Sequence, residues 1–343
     1  MSAFLESLRA YKGLVDERLS AGFCRDFLLR HLGASGMDGY IDMFIRHCQG
    51  GKRLRAYLVR LGYEIGGGKE MDKVLEPSLA IEVFQTAVLA HDDIIDRSEV
   101  RRFKPSMWVE LGGGLGGISR TICIGDIGIV AAGLFISESD FAPDVCLRAR
   151  IMFDDMMLGT MAGEVKEYDL PSLEKCTVDD VLGIIRLKTA LYTITGPLMV
   201  GRALAGARNN DTMLEDFGMA LGTAFQIKDD IIGMYGEEAE IGKSALSDAR
   251  EGKRTLLSVH FVANANPTAK EEFLGLYGRE DLTMDGLSRL RAMLKDSGSL
   301  AYAEGELEKY AAKARSLVPL MGLDKGHMEQ LNGLADYMVG RSA

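Results

Sequence analysis

"AIEVFQTAVLAHDDIIDRSEVRR", residues 80–102, is the stretch on which the fold turns. Its apolar residues recur at spacings of three and four rather than in alternation, so it reads as a helix. It is apolar on nearly every side, which places it inside a bundle rather than on a surface. At its end stand three carboxylates, Asp92, Asp93 and Asp96, followed by two adjacent arginines, Arg101 and Arg102. On a helix Asp92 and Asp96 share one face at i and i+4, and two like charges there repel unless a cation lies between them. Asp93 points about 100° away and is expected to support rather than to bind. Two readings follow: a solvated helix end with surface ion pairs, or a site that takes metal and phosphate together.

The same pattern fills the chain. Near-continuous apolar helices recur at about 119–136, 148–168, 180–206 and 213–235, while "FLESLRAYKGLVDERL" (4–19) and "LSRLRAMLKDSG" (287–298) read as amphipathic ones. Glycine clusters at 65–68, 112–117 and 205–206 mark turns, and the whole chain has only seven prolines. We expect an all-α fold: one domain over residues 1–343, a bundle of ten or more helices around a central apolar cavity. The glycine-rich "LGGGLGG" (111–117) lacks both a preceding strand and a following Gly-Lys-Ser/Thr, so it reads as an interhelix loop and not a phosphate loop.

Composition bounds the function. Hydrophobic residues make up 47% and charged residues 26% of the 343, as in ordinary soluble proteins. The net charge of −10 opposes nucleic-acid binding, so phosphate recognition must come from local clusters. Five cysteines without a C-x-x-C pair suggest reduced thiols and a cytoplasmic setting. The first residues carry acids early and lack a signal-type apolar core. No stretch reaches the roughly 18 uncharged apolar residues of a membrane span, so no transmembrane segment is expected.

Three further motifs carry charge beside apolar helix. In "GTAFQIKDDIIGMYGEEAEIGKSALSDAREGKRTLL" (222–257), Asp229 and Asp230 end an apolar helix and Lys243, Lys253 and Arg254 follow on glycine-flanked turns. Two such helices facing each other would make an apolar cavity with a carboxylate rim, suited to a hydrocarbon tail and a diphosphate head held through Mg²⁺. In "GGKRLRAYL" (50–58), Lys52 and Arg55 are spaced i, i+3 to share a face. In "RLKTALY" (186–192), Lys188 and Thr189 interrupt a long apolar stretch. A lysine there either snorkels to the surface or has an anionic partner, because burying it unpaired is costly.

Together "GGKRLR", "HDDIIDRSEVRR", "IGD" at 124–126, "LKTA" at 187–190 and "FQIKDD...GK...SD..EGKRTLL", in that order, resemble the trans-isoprenyl diphosphate synthases. The resemblance runs from residue 50 to residue 257. It implies a Mg²⁺-dependent head-to-tail condensation of isopentenyl diphosphate with an allylic diphosphate (dimethylallyl, geranyl or farnesyl), and a homodimer. Asp92 and Asp96 would hold two Mg²⁺ ions and Asp229 a third. Arg101, Lys188, Gln226, Lys243 and Lys253 would bind the allylic diphosphate. Lys52, Arg55, Gln85 and Arg102 would bind that of isopentenyl diphosphate, and Thr189 and Gln226 would flank the reacting carbon. The chemistry agrees, since an ionising allylic diphosphate needs fixed cations for its leaving group and a dry cavity for its carbocation.

The chain departs from the family pattern at four points. Gly233 stands where many members have Asp, Phe103 where Gly is usual, Ala56 where Pro is usual, and Glu164 where Gln is common. In the family a bulky aromatic four or five residues before the first Asp of the motif stops growth early. Ala87 and Val88 stand there and are small, and Phe84 one turn back could form a floor, so the expected product is geranylgeranyl diphosphate, C20. A farnesyl or longer-chain synthase is the alternative; a class I terpene cyclase fits the paired cationic motifs less well, and a non-catalytic subunit would be expected to lose Asp92, Asp93 and Asp96.

Overall fold

Helix α5 (Met71–Ile95) carries the opening stretch, and the elements that hold it explain most of its surroundings. The computed structural model describes residues 2–20, 22–33, 36–208, 211–236 and 244–340. Four helices precede α5: α1 (Ala3–Ser20), α2 (Phe23–Leu32), α3 (Asp38–Cys48) and α4 (Leu54–Ile65). After it come a hairpin of β1 (Val100–Arg101) and β2 (Lys104–Pro105), the short α6 (Met107–Glu110), α7 (Gly114–Ser137) and α8 (Pro143–Tyr168). Next are α9 (Val178–Ile184), a π-helical segment over Ile185–Thr195, α10 (Gly196–Leu204) and α11 (Thr212–Tyr235). The remainder is helical over Ser247–Glu251, Leu256–Asn264, Pro267–Leu276, Met284–Asp296, Ser299–Leu317 and Lys325–Val339. Among the described residues the protein is thus all-α apart from one hairpin, as the apolar spacing predicts.

Tertiary contacts gather into two units. The first comprises Met1–Met156, Gly196–Asp211 and Leu323–Gly333. Here α7 runs along α5, and small residues on α7 set how closely. A Cβ on Gly125 would fall 2.2 Å from His91 Nε2, and one on Gly128 would meet the Phe44 ring at 2.6 Å and Ala87 Cβ at 3.0 Å. By length and mean apolarity α7 is, among the described residues, the one helix that could cross a membrane, with Arg120 and Asp126 interrupting its apolar run. It carries Asp126, and Thr121, Ile124, Gly128, Ala132 and Phe135 are buried within the unit.

Helix α4 crosses α10 with its backbone almost touching. A Cβ on Gly62 would lie 2.0 Å from the Leu198 carbonyl oxygen, and one on Gly201 1.9 Å from that of Val59. The aromatic core behind this crossing includes Phe4, Tyr11 and Tyr57, with Tyr11 donating to Ser78 Oγ at 2.8 Å.

The second unit comprises Met157–Thr195, Thr212–Gly322 and Leu334–Ala343. Its core joins Ile227, Ile231 and Met234 of α11 to Phe261, Phe273, Tyr277 and Leu290. Helix starts are capped where the sequence offers Thr or Asn: Thr177 and Thr255 each form a capping box, and Asn266 and Thr283 cap the next helices.

Gly201→Ala is expected to destabilise the protein by at least the ~1–3 kcal/mol typical of overpacking, because the intruded atom is backbone and cannot turn aside. Urea denaturation measures it. A change under half a kilocalorie would mean the α4–α10 crossing yields easily.

Candidate active site

Carboxylates at the end of α5 meet a helix terminus that is already negative, and the last turn holds no basic residue. The helix stops at Ile95, yet Asp96 N–H still donates to the Asp92 carbonyl at 2.8 Å. The i, i+4 relation of Asp92 and Asp96 therefore survives the helix end. The nearest counter-charge comes from β1. Arg101 grips Asp93 with Nε at 2.8 and 2.9 Å from its two oxygens, and its Nη2 reaches Asp93 at 2.7 Å and Asp92 at 3.3 Å. Burial alone would push the Arg101 guanidinium down; the contact with Asp93 outweighs it and leaves the value raised. Asp93 is buried and holds Arg101; burial pushes its carboxyl up, with Arg101 pulling the other way.

Arg102 and Phe103 form the two-residue turn of the hairpin, at φ 52° and 62°. This turn wants glycine at both central positions, so the strain that glycine would relieve falls on Arg102 and on the 71%-exposed Phe103. Arg102, exposed, lies back over the Gln49–Gly51 backbone, where Nη1 donates to the Gln49 carbonyl at 3.1 Å and Nη2 lies 3.4 Å from where a Cβ on Gly51 would stand. Burial and the charges of Arg53 and Arg101 push the Arg102 guanidinium below its ordinary value. Arg102, with Arg46, His47, Gly50, Gly51 and Thr86, lines a pocket of about 430 Å³. Arg101 and Lys104 line it too, with Asp93 and Glu110 paired to Arg101 and Arg46, so the cations outnumber the acids and the surroundings suit an added anion.

Sequence reading missed Arg53. It precedes α4 in the left-handed region at φ 55°, is 3% exposed, and pairs with Asp16 at 2.7 Å and Glu82 at 3.0 Å. Glu82 also accepts the Ala56 N–H at 3.2 Å. Burial works against the Arg53 charge, but Glu82 and Asp16 raise its value overall. The only signal in the sequence was Glu82 itself, an acid inside an apolar helix. Because α4 begins at Leu54, Lys52 lies outside it, and the shared helical face expected of Lys52 and Arg55 does not form. Lys52 is exposed and Arg55 half-buried on the two sides of the anchored Arg53. Gln85 is half-buried on α5, and Val88 likewise; Phe84 is fully buried and packs edge-on against Phe153.

The second unit holds the other cluster. The π-helical segment over Ile185–Thr195 is unusually long for such geometry. Glycines on its neighbours make room for its wide turns: a Cβ on Gly163 would lie 2.6 Å from Lys188 N, and one on Gly222 2.5 Å from Ala190 Cα. Lys188 does not simply snorkel. Its ammonium contacts Glu164 at 2.6 Å and Glu167 at 2.5 Å. Thr189 Oγ1 donates to Gln226 Oε1 at 2.9 Å, and Gln226 Nε2 donates to Asp230 at 2.8 Å. Asp230 keeps part of its surface open. Protein nevertheless closes round its carboxyl, and burial pushes it up to about 7; Gln226 pulls the other way, and Asp248 and Asp229 add to the rise. Asp229 precedes it on the same helix, half-buried. Lys253 is paired with Asp248 at 3.3 Å and Glu251 at 3.2 Å. Lys243 lies outside the described residues. Among the described residues no three carboxylate, imidazole or thiol groups converge into a metal cage.

Comparison with known proteins joins these clusters to one family. The polyprenyl synthetase family model matches residues 40–294. The geranylfarnesyl diphosphate synthase of Aeropyrum pernix is 34% identical over 300 residues, covering 85% of this chain and 91% of that protein. The geranylgeranyl diphosphate synthase of Sulfolobus acidocaldarius is 30% identical over 268 residues, covering 77% and 79%. Among solved structures, a geranylgeranyl pyrophosphate synthase from Corynebacterium glutamicum, complexed with isoprenyl diphosphate and magnesium, superposes with a TM-score of 0.86 over 99% of both chains at 24% identity.

Glu82→Ala leaves Arg53 buried with half its compensation gone. The expected cost is roughly 3–5 kcal/mol, read as a lower midpoint in urea at unchanged slope. A cost under 1 kcal/mol would show that Asp16 alone satisfies Arg53.

Proposed function

The chain belongs to the polyprenyl synthetase family and is a prenyltransferase that makes prenyl diphosphates; from that premise we propose that it joins isopentenyl diphosphate head to tail to an allylic diphosphate and stops at C20. The observation that carries this reading is the cationic pocket beside the Asp92–Asp96 edge. Arg102, with Lys52 and Arg55 on either side of Arg53, holds the diphosphate of isopentenyl diphosphate. Arg101, Lys188 and Lys253 hold the allylic diphosphate, and Thr189 and Gln226, hydrogen-bonded to each other, stand at the reacting carbon.

The donor set suits Mg²⁺. Asp92, Asp96 and Asp229 offer oxygen alone, one or two per site, which is how this ion is held when phosphate supplies the rest. Mg²⁺ bound there supplies stabilisation of the charge that builds on the departing diphosphate. The protein's own contribution is fixed positive charge at the same place: Arg101 is already oriented by Asp93, so it reorganises little as the bond breaks. The five unpaired cysteines are in keeping with a reducing compartment.

Chain length rests on the wall beneath Asp92. Val88 is half-buried one turn below it, and Phe84 lies deeper, fully buried. A product one isoprene unit longer is the runner-up, favoured by the geranylfarnesyl relative. Incubation with Mg²⁺, isopentenyl diphosphate and each allylic primer is expected to give a C20 product, and Val88→Phe to shift it to C15. An absence of elongation with every primer would sink the synthase reading. An unchanged product from Val88→Phe would sink the depth argument alone.

We also propose a homodimer. Ile122 and Val130 on α7, and Leu147, Ile151, Leu158 and Val165 on α8, are large, apolar and 43–65% exposed. Those on α8 follow steps of four and seven, a single stripe along the helix. Such a stripe marks an interface. Sedimentation is expected to give a dimer, and Ile151→Lys with Leu158→Lys a monomer; a double variant that still sediments as a dimer would place the interface elsewhere.

A further inference from the structure

The pocket beside Arg102 reaches past the face of α5 that carries the proposed chemistry. At 100° per residue, Gln85, Val88 and Asp96 lie within about 40° of Asp92 round the helix. Thr86, Leu89, Ala90 and Asp93, the α5 residues that line the pocket, lie about 60–160° away. The wall that α5 gives the cavity is therefore its flank. The last turn of α3 and its cap close the cavity with Arg46, His47 and Gln49. A diphosphate held by Lys52, Arg55 and Gln85 would meet this space at Arg102.

The flank has charges of its own. Arg46, Arg101, Arg102 and Lys104 line the cavity against two carboxylates, Asp93 and Glu110. Asp93 is taken by Arg101, and Glu110 is shared by Arg46 at 2.7 Å and His47 at 2.8 Å. Arg102 donates to a backbone carbonyl, and Lys104 has no carboxylate partner among the described residues. Lys104 also stands directly across the hairpin from Arg101, a pairing of like charges that costs a sheet stability. Leu89, Ala90 and Met107 make part of the same wall apolar. A concave space of about 430 Å³ with apolar walls and a few convergent charges has the form of a small-molecule site.

We propose that this flank, between α3 and the hairpin, is a second anion site apart from the reacting centre, and that it takes a phosphate or diphosphate ester with a short hydrocarbon group. Arg46 from α3 and Lys104 from the hairpin bind the phosphate, and Leu89 and Met107 cover the hydrocarbon. Arg102 borders both sites, so a molecule in the flank draws it away from the isopentenyl diphosphate being elongated and slows the reaction. The inference rests on the role proposed above for Arg102.

Isopentenyl diphosphate itself is the probe. Calorimetry on the full chain in EDTA, which disables the proposed metal-dependent site, is expected to show two molecules bound per chain. Lys104→Gln with Arg46→Gln, both at exposed positions, is expected to weaken one of them at least tenfold with melting little changed. Lys104→Gln alone breaks no ion pair and is expected to act in the same direction. Lys52→Gln with Arg55→Gln weakens the other molecule. In steady state with Mg²⁺ the wild-type rate is expected to fall at high isopentenyl diphosphate, and that of the Arg46, Lys104 variant to reach a plateau instead. Wild-type behaviour of the folded variant in either measurement would overturn the proposal, as would a single bound molecule lost on changing Lys52 and Arg55. A single molecule lost only on changing Arg46 and Lys104 would keep this site and overturn the role given to Lys52 and Arg55. No binding at all would overturn both.

Discussion

Carboxylates at the C-terminal ends of helices are the constraint around which this structure is arranged. A helix end already bears partial negative charge from its unsatisfied carbonyls. Asp92, Asp93 and Asp96 stand on one such end, and Asp229 and Asp230 near another. Each group must find cations or rise in pKa. The end of α5 takes both: Arg101 grips Asp93, and burial still leaves the Asp93 carboxyl above its ordinary value. The α11 group takes part of the second, with Asp230 pushed up to about 7 by burial. On the function proposed, a ligand that brings metal and phosphate together would suit both places, the metal meeting the acids and the phosphate the arginines and lysines.

Glycine does a second job in the same places. It serves less for backbone freedom than for room. Gly125 admits His91, Gly163 and Gly222 admit the wide turns that carry Lys188 and Thr189, and Gly233 admits Asp248. In each of these places a neighbouring helix has given up a Cβ. Such close approaches tie the position of a polar group to a backbone rather than to a mobile side chain, which is how a site is held within fractions of an ångström.

The helices were legible because apolar spacing is a local property: α1, α5, α7, α8 and α11 all lie where the periodicity places them. The acid pairs were legible for the same reason, whereas the grip of Arg101 on the buried Asp93 shows only in the fold. What could not be read were partnerships across the chain. Arg53 looks like any residue of a basic motif until Glu82, 29 positions away, is seen beside it. The left-handed conformation of Arg53 also starts α4 two residues too late for Lys52 to join its face. Lys188 was marked as needing an anion, but the two glutamates that meet it lie on another helix. The hairpin was hidden because Arg102 and Phe103 fill turn positions that ordinarily announce themselves as glycine or asparagine.

On the function proposed, chain length depends on which way the residues before Asp92 face. Counting back from Asp92 treats Ala87 and Val88 alike, as adjacent depths on a ruler. They do not face alike. At 100° per residue Val88 lies about 40° from Asp92 round the helix, and Ala87 about 140°. Ala87 is fully buried, and its Cβ lies 3.0 Å from where a Cβ on Gly128 would stand, with the Phe44 ring closing on the same glycine. A larger side chain at 87 would therefore press on α7 before it met any tail, and its effect on product length would be mixed with damage to packing. Val88, on the side of the carboxylates and only half-buried, can grow without that penalty. On the proposed mechanism it is Val88 that the growing tail passes first.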